Sequence, residues 1–163
     1  MILPREEITS RGIVTHYIDT SQFQPAGVDL TVREIYSFKN AGAIDFDNKE
    51  RKLSDCKLLK FDKKGWLKLK KGAYKVIYNE VVEIPKDCAA LAYPRSSLLR
   101  CGAFMHCAVW DPGYKGRSES LMIVSNEKGL KLKKNAKVVQ LVLFKLTEHA
   151  KQGYSGRFRG ENI

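Results

Sequence analysis

The sequence predicts an all-β protein, a barrel or sandwich of the jelly-roll type, and three observations support this. Short apolar segments follow one another between turn signals, and no stretch keeps a sustained helical period. Lysines alternate with apolar residues in GWLKLKKGAYKVIY (65–78) and GLKLKKNAKVV (129–139), the pattern of strands with one solvated face. The longest apolar run, VVQLVLF (138–144), is too short to span a membrane and is typical of a buried strand.

Ten strands are predicted in chain order, at 28–33, 56–61, 66–70, 73–78, 80–84, 89–92, 104–110, 119–125, 130–132 and 137–146. The turns between them are marked by Lys64-Gly65, Lys71-Gly72, Pro85-Lys86-Asp87, Pro112-Gly113 and Glu127-Lys128-Gly129. One short helix is expected at 95–101, because Ser96 or Ser97 can cap it and the two leucines that follow can pack inward.

The chain of 163 residues is long enough for one domain with a core of its own. We expect a single β domain at 1–151 and a flexible tail at 152–163, QGYSGRFRGENI, which has almost no aliphatic residues. The start, MILPREEITSRG, has no apolar signal region, which predicts a cytoplasmic protein with no membrane partner. The four cysteines form no C-x-x-C pair, so we expect reduced thiols and no zinc site.

A net charge of +11 indicates a polyanionic partner. The alternating lysines are also explained by the solvated faces of half-buried strands, which need no ligand. A nucleic-acid surface would carry aromatic residues between the basic ones, whereas these lysines alternate mainly with leucine. We therefore do not expect nucleic acid as a partner, and the charge suits a small polyanionic substrate.

A carboxylate ends the apolar run in AVWDPGYKG (108–116). Asp111 before Pro-Gly is a favoured turn opener, and most aspartates in that position do nothing else. The preceding HCAVW is apolar, however, and Tyr114 offers a flat aromatic face. A carboxylate in that setting could hold a water molecule and accept its proton, as a general base does. Both interpretations are open on this segment alone.

The segment YPRSSLLR (93–100) carries donors that suit an anion. Arg95 has a forked donor set that fits phosphate oxygens, and Ser96 and Ser97 add hydroxyls near a possible helix N-terminus. The alternative is a surface arginine beside a capping serine. No G-x-S-x-G pattern surrounds the serines, so a serine-hydrolase elbow is not supported.

Two further polar residues stand in apolar surroundings. In PAGVDL (25–30), Gly27 permits a close backbone approach and Asp29 interrupts an apolar run, although a turn into a strand explains both. Gln140 is the one polar residue in its strand, so its amide should be hydrogen-bonded either within the core or to a ligand.

Taken in order, PAGVDL, PRSS, HCAVWDPGYKG, NAKVVQLVLF and the glycine-arginine-aromatic tail form a series that resembles the deoxyuridine triphosphatase and deoxycytidine triphosphate deaminase superfamily. The pattern is most similar to the short archaeal deoxyuridine triphosphatases, from about Pro25 to Gly160. The resemblance implies a distorted jelly-roll fold of the β-clip type, with at most short helices, and a homotrimer with active sites at its subunit interfaces. It also implies hydrolysis of dUTP to dUMP and pyrophosphate, with Mg²⁺ on the triphosphate.

The same resemblance implies the residue roles. Asp111 would activate the water that attacks the α-phosphorus, and Tyr114 would lie under the deoxyribose, where it leaves no room for a 2′-hydroxyl. Asp29 would support the metal ion through water. The other implied substrate contacts are the backbone of Cys107, Ala108, Val109 and Trp110 at the pyrimidine edge, then Arg95, Ser96, Ser97, Gln140 and Arg157 at the phosphates, and Phe158 over the base.

The sequence departs from the family pattern at several positions. Asn135 and Lys137 stand where the fourth motif usually has a glycine and an arginine, and lysine keeps the charge without the forked geometry. In the tail, Arg157 precedes Phe158 and Arg159 follows it, which leaves open which arginine contacts phosphate.

The main rival is a zinc-independent dCTP deaminase, alone or combined with dUTP hydrolysis in one protein. That branch shares the RSSLxR pattern, which ends here at Arg100, and needs a glutamate in the strand after the DPG turn. The expected position falls on Leu121 or Ile123, and Glu119 is the only acid nearby, out of register either way. The sequence therefore favours the phosphohydrolase. A noncatalytic nucleotide-binding protein is a further alternative, against which the intact Asp111 argues.

Overall fold

The computed structural model describes all 163 residues, and its many strands and two short helices confirm the predicted all-β fold. The helices are α1 (Arg5–Ser10) and α2 (Ser96–Arg100). The strands are β1 (Val14–Thr15), β2 (Phe23–Gln24), β3 (Gly27–Phe38), β4 (Cys56–Leu59), β5 (Trp66–Leu69), β6 (Gly72–Tyr78), β7 (Val81–Glu83), β8 (Cys88–Pro94), β9 (Ala103–His106), β10 (Lys115–Gly116), β11 (Glu119–Val124), β12 (Leu130–Lys133) and β13 (Lys137–Lys145). Neither helix has the length and hydropathy that crossing a bilayer requires.

The main sheet runs in the order β8-β13-β3-β6-β11-β9, and β2 and β4 also pair with β3. All of these pairings are antiparallel. After β9 the chain returns to the opposite edge, where Trp110 forms an isolated bridge with Ala90 of β8. This bridge nearly closes the sheet into a barrel, and it fixes the segment that follows, including Asp111, at the barrel rim.

The core is built on β3 and its neighbour β13. The first six residues of β3 are all buried, because strands cover both of its edges and apolar side chains cover its faces. In β13, alternate residues such as Val139, Leu141 and Leu143 are fully buried. A polar residue within β3 is therefore held in a dry environment, which matters for Asp29 below.

Two smaller sheets lie outside the barrel. One has the order β1-β7-β10 and supports the chain that follows the Asp111 turn. The other consists of β5 and β12 alone, a two-stranded ribbon whose leucines pack inward and whose lysines face solvent.

The structure corrects three details of the sequence interpretation. The strand predicted at 104–110 ends at His106, because its pairing with β11 stops there. The helix at 95–101 exists as α2, but its N-cap residue is Arg95 and no side chain caps it, so neither serine does so. Helix α1 was not predicted, because its single turn with one buried residue, Ile8, is too short to show a helical period.

Candidate functional site

The carboxylate of Asp111 stands at the first position of a tight turn. The amide of Tyr114 donates to Asp111 O at 3.1 Å, and Gly113 at the third position has a φ of 83°. Proline second and glycine third is the composition of a type II turn, which requires the positive φ. The turn uses only the main-chain carbonyl of Asp111. Its carboxylate is exposed and makes no hydrogen bond within the chain, so the turn leaves it free at the rim.

The backbone just before this turn is also unpaired. The amides and carbonyls of Cys107, Ala108 and Val109 form no hydrogen bond within the chain, although the segment lies between two paired positions. Trp110 differs, because its amide and carbonyl both bond to Ala90 at 3.0 Å. Of the four residues whose backbone is predicted to bind the pyrimidine edge, these three thus have free backbone groups. The Trp110 backbone groups are instead paired with Ala90, where the sheet nearly closes.

The floor of the site is aromatic and buried. Tyr114 is 6% exposed, and its ring meets the ring of Tyr154 edge-on at a centroid distance of 5.8 Å. Burial raises the pKa of Tyr114, so its hydroxyl stays protonated. The indole Nε1 of Trp110 donates to Ser118 Oγ, which lies 3.2 Å from the Tyr114 hydroxyl oxygen. These contacts fix both aromatic side chains beneath the rim that carries Asp111.

The C-terminal tail of the same chain covers this floor. Tyr154 N donates to Pro112 O and Gly160 N donates to Lys115 O, both at 2.7 Å. The absence of a side chain at Gly113 permits the approach, since a Cβ there would lie 2.9 Å from the Cα of Gly153. The tail is thus hydrogen-bonded both to the Asp111 turn and to the strand that follows it.

The enclosed space is a pocket of about 100 Å³, which we call the Asp111 pocket. It is lined by Ala108, Val109, Trp110, Asp111, Tyr114, Ser118, Glu119, Tyr154, Phe158 and Glu161. Most of the residues predicted for the nucleoside end, with Phe158 from the tail, therefore meet in one place. Arg157 and Arg159 are exposed, and neither side chain contacts another residue by a hydrogen bond or an ion pair.

Two carboxylates in the Asp111 pocket belong to other parts of the chain. Glu161 accepts the Tyr114 hydroxyl at 2.7 Å, and burial raises its pKa. Glu119 begins β11 and pairs with Lys75 Nζ at 3.0 Å. Leu121 and Ile123 share its face of the strand, yet neither lines the pocket. No sequence signal pointed to Glu161 or Tyr154, because their contacts depend on where the tail folds.

The second predicted group lies in a separate cleft of about 350 Å³, which we call the Arg95 pocket. Asp29 is 1% exposed and forms an ion pair with Arg95. Gln24 Nε2 donates to Asp29 Oδ2 at 3.0 Å, and Lys137 Nζ lies 3.8 Å from the same oxygen. Burial raises the pKa of Asp29, and the two cations act against that shift. Asp29 therefore orients the guanidinium of Arg95 from inside the barrel.

Other members of this pocket have free polar groups. Gln140 is the register partner of Asp29, and its amide makes no hydrogen bond within the chain, which favours ligand contact over a satisfied core amide. Ser96 lines the pocket, whereas Ser97 does not. Gly27 permits the close approach expected of it, because a Cβ there would collide with Leu141 O.

Asn135 occupies the position where the family pattern has glycine. Its φ is 66°, in the left-handed region that glycine adopts freely. Asparagine is the side chain that tolerates this region best, so the substitution keeps the turn before β13 intact. Asparagine in place of glycine therefore causes little backbone strain at this position.

The two pockets are well separated within one chain. Trp110, next to Asp111, bridges Ala90, and Arg95 lies five residues farther along the same strand direction. At about 3.3 Å per residue this is a separation of roughly 17 Å. The Asp111 and Arg95 pockets also share no lining residue. A single chain therefore does not bring the two predicted halves of the site together.

The chain has no cluster of three or more His, Cys, Asp or Glu side chains placed to hold a metal ion. The one acid predicted to support a metal, Asp29, is engaged by Arg95 and Gln24. A divalent cation at this site would need most of its ligands from a bound polyphosphate and from water, as Mg²⁺ prefers.

Comparison with known proteins gives a consistent result. A family model described as dCTP deaminase-like matches residues 3–146. The chain is 52% identical over 151 residues to a probable deoxyuridine 5'-triphosphate nucleotidohydrolase of Methanosarcina mazei, which covers 92% of this chain and 88% of the relative. It is 39% identical over 144 residues to the deoxyuridine 5'-triphosphate nucleotidohydrolase of Methanocaldococcus jannaschii, which covers 88% of this chain and 90% of the relative.

Among solved structures, the 2'-deoxycytidine 5'-triphosphate deaminase of Agrobacterium tumefaciens matches with a TM-score of 0.65 at 19% identity, over 87% of this chain. The match covers 48% of that protein, so this chain spans about half of its length. At this identity the likeness concerns the fold alone.

Proposed function

The chain belongs to the dCTP deaminase-like family, and from that premise we propose that it is a nucleotide pyrophosphohydrolase that converts dUTP to dUMP and pyrophosphate. The relatives that bear the name deoxyuridine 5'-triphosphate nucleotidohydrolase support this choice within the family. The observation that carries the proposal is the Asp111 pocket, where an unbonded carboxylate adjoins unpaired backbone groups and a buried aromatic floor.

The backbone of Cys107 to Val109 suits the pyrimidine. Uracil presents two carbonyl oxygens and one N–H along its edge, and unpaired main-chain amides and carbonyls can bond to all three. Because backbone groups keep a fixed position on the barrel rim, they select the base by geometry without loss of side-chain freedom. Tyr114 then packs against the sugar, where the ring leaves no space for an added 2′-hydroxyl.

Asp111 acts as the general base. Its carboxylate accepts a proton from a water molecule, which attacks the α-phosphorus as the bond to the leaving pyrophosphate breaks. An anionic base beside a triphosphate requires positive charge on the phosphate oxygens. Arg95 and Lys137 supply part of this charge, and Ser96 and Gln140 add neutral donors. Mg²⁺ bound to the triphosphate would supply the rest and polarise the phosphate oxygens.

Because the two pockets are separate in one chain, a complete site requires more than one copy of the chain. Since the Asp111 and Arg95 pockets share no residue and the strand between them spans roughly 17 Å, the site is completed when the Arg95 pocket of one copy faces the Asp111 pocket of another. Contact between two different surfaces is heterologous and forms a ring when the rotation between copies closes. We infer a homotrimer with three sites at its interfaces. Asp29 positions Arg95 there, and supports the metal only through water.

A dCTP deaminase is the second candidate, because Glu119 reaches the Asp111 pocket. Its carboxylate is engaged by Lys75 and by Asn162 Nδ2 at 3.2 Å, which does not leave it free for proton transfer. The positions where the deaminase branch needs its glutamate hold Leu121 and Ile123. The hydrolase is therefore favoured.

Incubation of the purified protein with dUTP and, separately, dCTP, each with Mg²⁺, tests the proposal. Chromatography should show dUMP and pyrophosphate from dUTP and no product from dCTP. Formation of dUTP or dUMP from dCTP would instead assign the deaminase activity. If neither nucleotide gives a product, the noncatalytic nucleotide-binding protein becomes the favoured alternative. Light scattering on the same sample should give three times the mass of the chain, 18.5 kDa.

A further inference from the structure

The positive charge of the chain is concentrated in two segments, 56–71 and 127–137. Together they hold twelve of the twenty lysines, no arginine and two acids, Asp62 and Glu127, and so carry +10 of the net charge of +11. The parts of these segments at 65–69 and 130–134 lie side by side, because β5 pairs with β12 and Lys134 N donates to Gly65 O at 2.8 Å, whereas Lys57 lies on β4 beside β3 and Lys137 lies beside Asp29. We call this surface the lysine ribbon.

The lysine ribbon has one apolar and one charged face. Its leucines, such as Leu69 and Leu132, are buried against the barrel. On the outer face Lys131 lies directly opposite Lys68, and Lys133 lies opposite Trp66. Like charges placed opposite each other on one face of a sheet repel. The ribbon is thus folded with a repulsive pair at its centre.

The chain does not neutralise this charge. Of the twelve lysines only Lys71, at 2.5 Å from Glu127, and Lys137, at 3.8 Å from Asp29, have an acidic group within 4 Å. The ammonium groups of Lys131 and Lys133 instead lie 4.7 and 5.6 Å from the centre of the Trp66 ring. The other ten lysines are exposed and without an anion.

We propose that the lysine ribbon binds the phosphate backbone of a nucleic-acid duplex without reading its sequence. Lysine binds phosphate as a point charge, and a duplex supplies such charges at a high and regular density. The outer face carries no arginine fork and no amide side chain, two of the groups that discriminate base edges, and its lysines suit phosphate. The binding is therefore electrostatic.

The composition of the outer face argues against other partners. The core of a protein interface is poor in lysine and rich in aromatic and apolar anchors, whereas the leucines here point inward. A single strand is held by stacking of its bases on several exposed aromatic rings. The only aromatic residue on this face, Trp66, is half-buried and covered by two lysines. The sequence pattern alone did not show that β5 and β12 lie side by side on one surface.

Fluorescence anisotropy with a labelled 20-base-pair DNA duplex of mixed sequence, titrated from 50 to 300 mM NaCl, tests this proposal. For the wild type, log Kd should rise linearly with log salt, with a slope of about 0.9 for each phosphate contacted. In the variant K68Q/K131Q/K133Q the slope should fall by about 2 to 3 and the affinity at 50 mM by at least roughly tenfold. The matched control K39Q/K145Q/K151Q has the same change in net charge and should bind like the wild type.

Each other outcome overturns the proposal. Absence of duplex binding at 50 mM NaCl contradicts it. Equal binding by the ribbon variant and its control also contradicts it, and the lysines would then only protect exposed strand edges from aggregation. Tighter binding of polyglutamate or of single-stranded DNA would assign a different partner. The single variant K68Q removes the repulsive pair, so it should unfold at a slightly higher temperature while the salt slope falls by about 1. Unchanged hydrolysis of dUTP by every variant shows that the fold is intact.

Discussion

The hydroxyl of Tyr114 donates a 2.7 Å hydrogen bond to Glu161 Oε1, which ties the last residues of the chain to the floor of the Asp111 pocket. With the tail in this position the pocket holds about 100 Å³, less than the roughly 300 to 1,000 Å³ of most small-molecule sites. The proposed contact of Tyr114 with the sugar requires Glu161 to release this hydroxyl, and the proposed closure of the tail over a substrate requires the tail first to leave this docked arrangement.

The docked tail should respond to pH through Glu161. Burial raises the pKa of this carboxyl group above its usual value, so the docked state favours the protonated form. Docking is then strongest at low pH and weakens as the pH rises through that raised pKa. The amide of Gly160, which donates to Lys115 O, reports the docked fraction by its NMR chemical shift. Glu161→Gln should stay docked across the range, and a titration unchanged in that variant would contradict the assignment.

Replacement of Asp111 tests the general base. Asp111→Asn keeps the shape of the side chain and removes its capacity to take a proton, while the turn needs only the carbonyl of this residue. We expect kcat for dUTP to fall by about 10²- to 10⁴-fold with little change in KM. Glu148→Gln is the matched control, because Glu148 is exposed and makes no hydrogen bond or ion pair within the chain. Turnover like that of the wild type in Asp111→Asn would remove this residue from the chemistry.

The residues that could be predicted from the sequence are those whose role is set locally. The Asp-Pro-Gly sequence determines a type II turn, so Asp111 and Tyr114 have a fixed relation before any tertiary contact forms. Gly27 and Asp29 are likewise placed by their own strand. Short apolar segments between turn signals located the ten strands of three or more residues, although the strand predicted at 28–33 runs on to Phe38.

What could not be predicted depends on contacts between distant residues. The bond from Tyr114 to Glu161 spans 47 positions, and no local pattern encodes it. The Trp110 backbone looked available for a ligand until barrel closure paired it with Ala90. The separation of the Asp111 and Arg95 pockets is likewise a property of the closed sheet, invisible in the order of the motifs.

The Asp29–Arg95 pair predicts a stability change that depends on pH. Arg95→Ala leaves a buried carboxylate whose pKa burial already raises, and removal of the cation raises it further. A carboxyl group whose pKa is raised in the folded state loses stability as the pH rises from its usual pKa through the raised one, so the variant should be weakened more at pH 8 than at pH 5. Because Arg95 is 34% exposed, we expect a loss of about 1 to 3 kcal/mol at pH 8.

Urea unfolding at the two pH values measures this effect. The double variant Asp29→Asn with Arg95→Ala should recover much of the loss at pH 8, because it leaves no buried charge. Arg100→Ala is the control, since Arg100 is exposed and contacts only Ser96 Oγ at 3.4 Å. Equal destabilisation by Arg95→Ala at both pH values would show that the ion pair is not the cause.

Truncation after Gln152 tests whether the tail takes part in catalysis. The tail contains no strand and lies outside the barrel, so its removal should leave the far-UV circular dichroism of the β fold unchanged. It does remove the ring of Tyr154 from Tyr114 and the Tyr154–Pro112 hydrogen bond, so the melting temperature should fall by a few degrees, about 2–4 °C per kcal/mol lost. Turnover of dUTP should fall by at least about tenfold, because Phe158 no longer closes the site against water.

Two point variants in the full chain, Arg157→Gln and Arg159→Gln, are made separately. The one with the larger rise in KM for dUTP identifies the arginine that contributes to substrate binding. If the truncated protein has the kinetics of the full chain, the tail takes no part in catalysis. The tail would then only occupy the Asp111 pocket, and the remaining residues would form the whole active site.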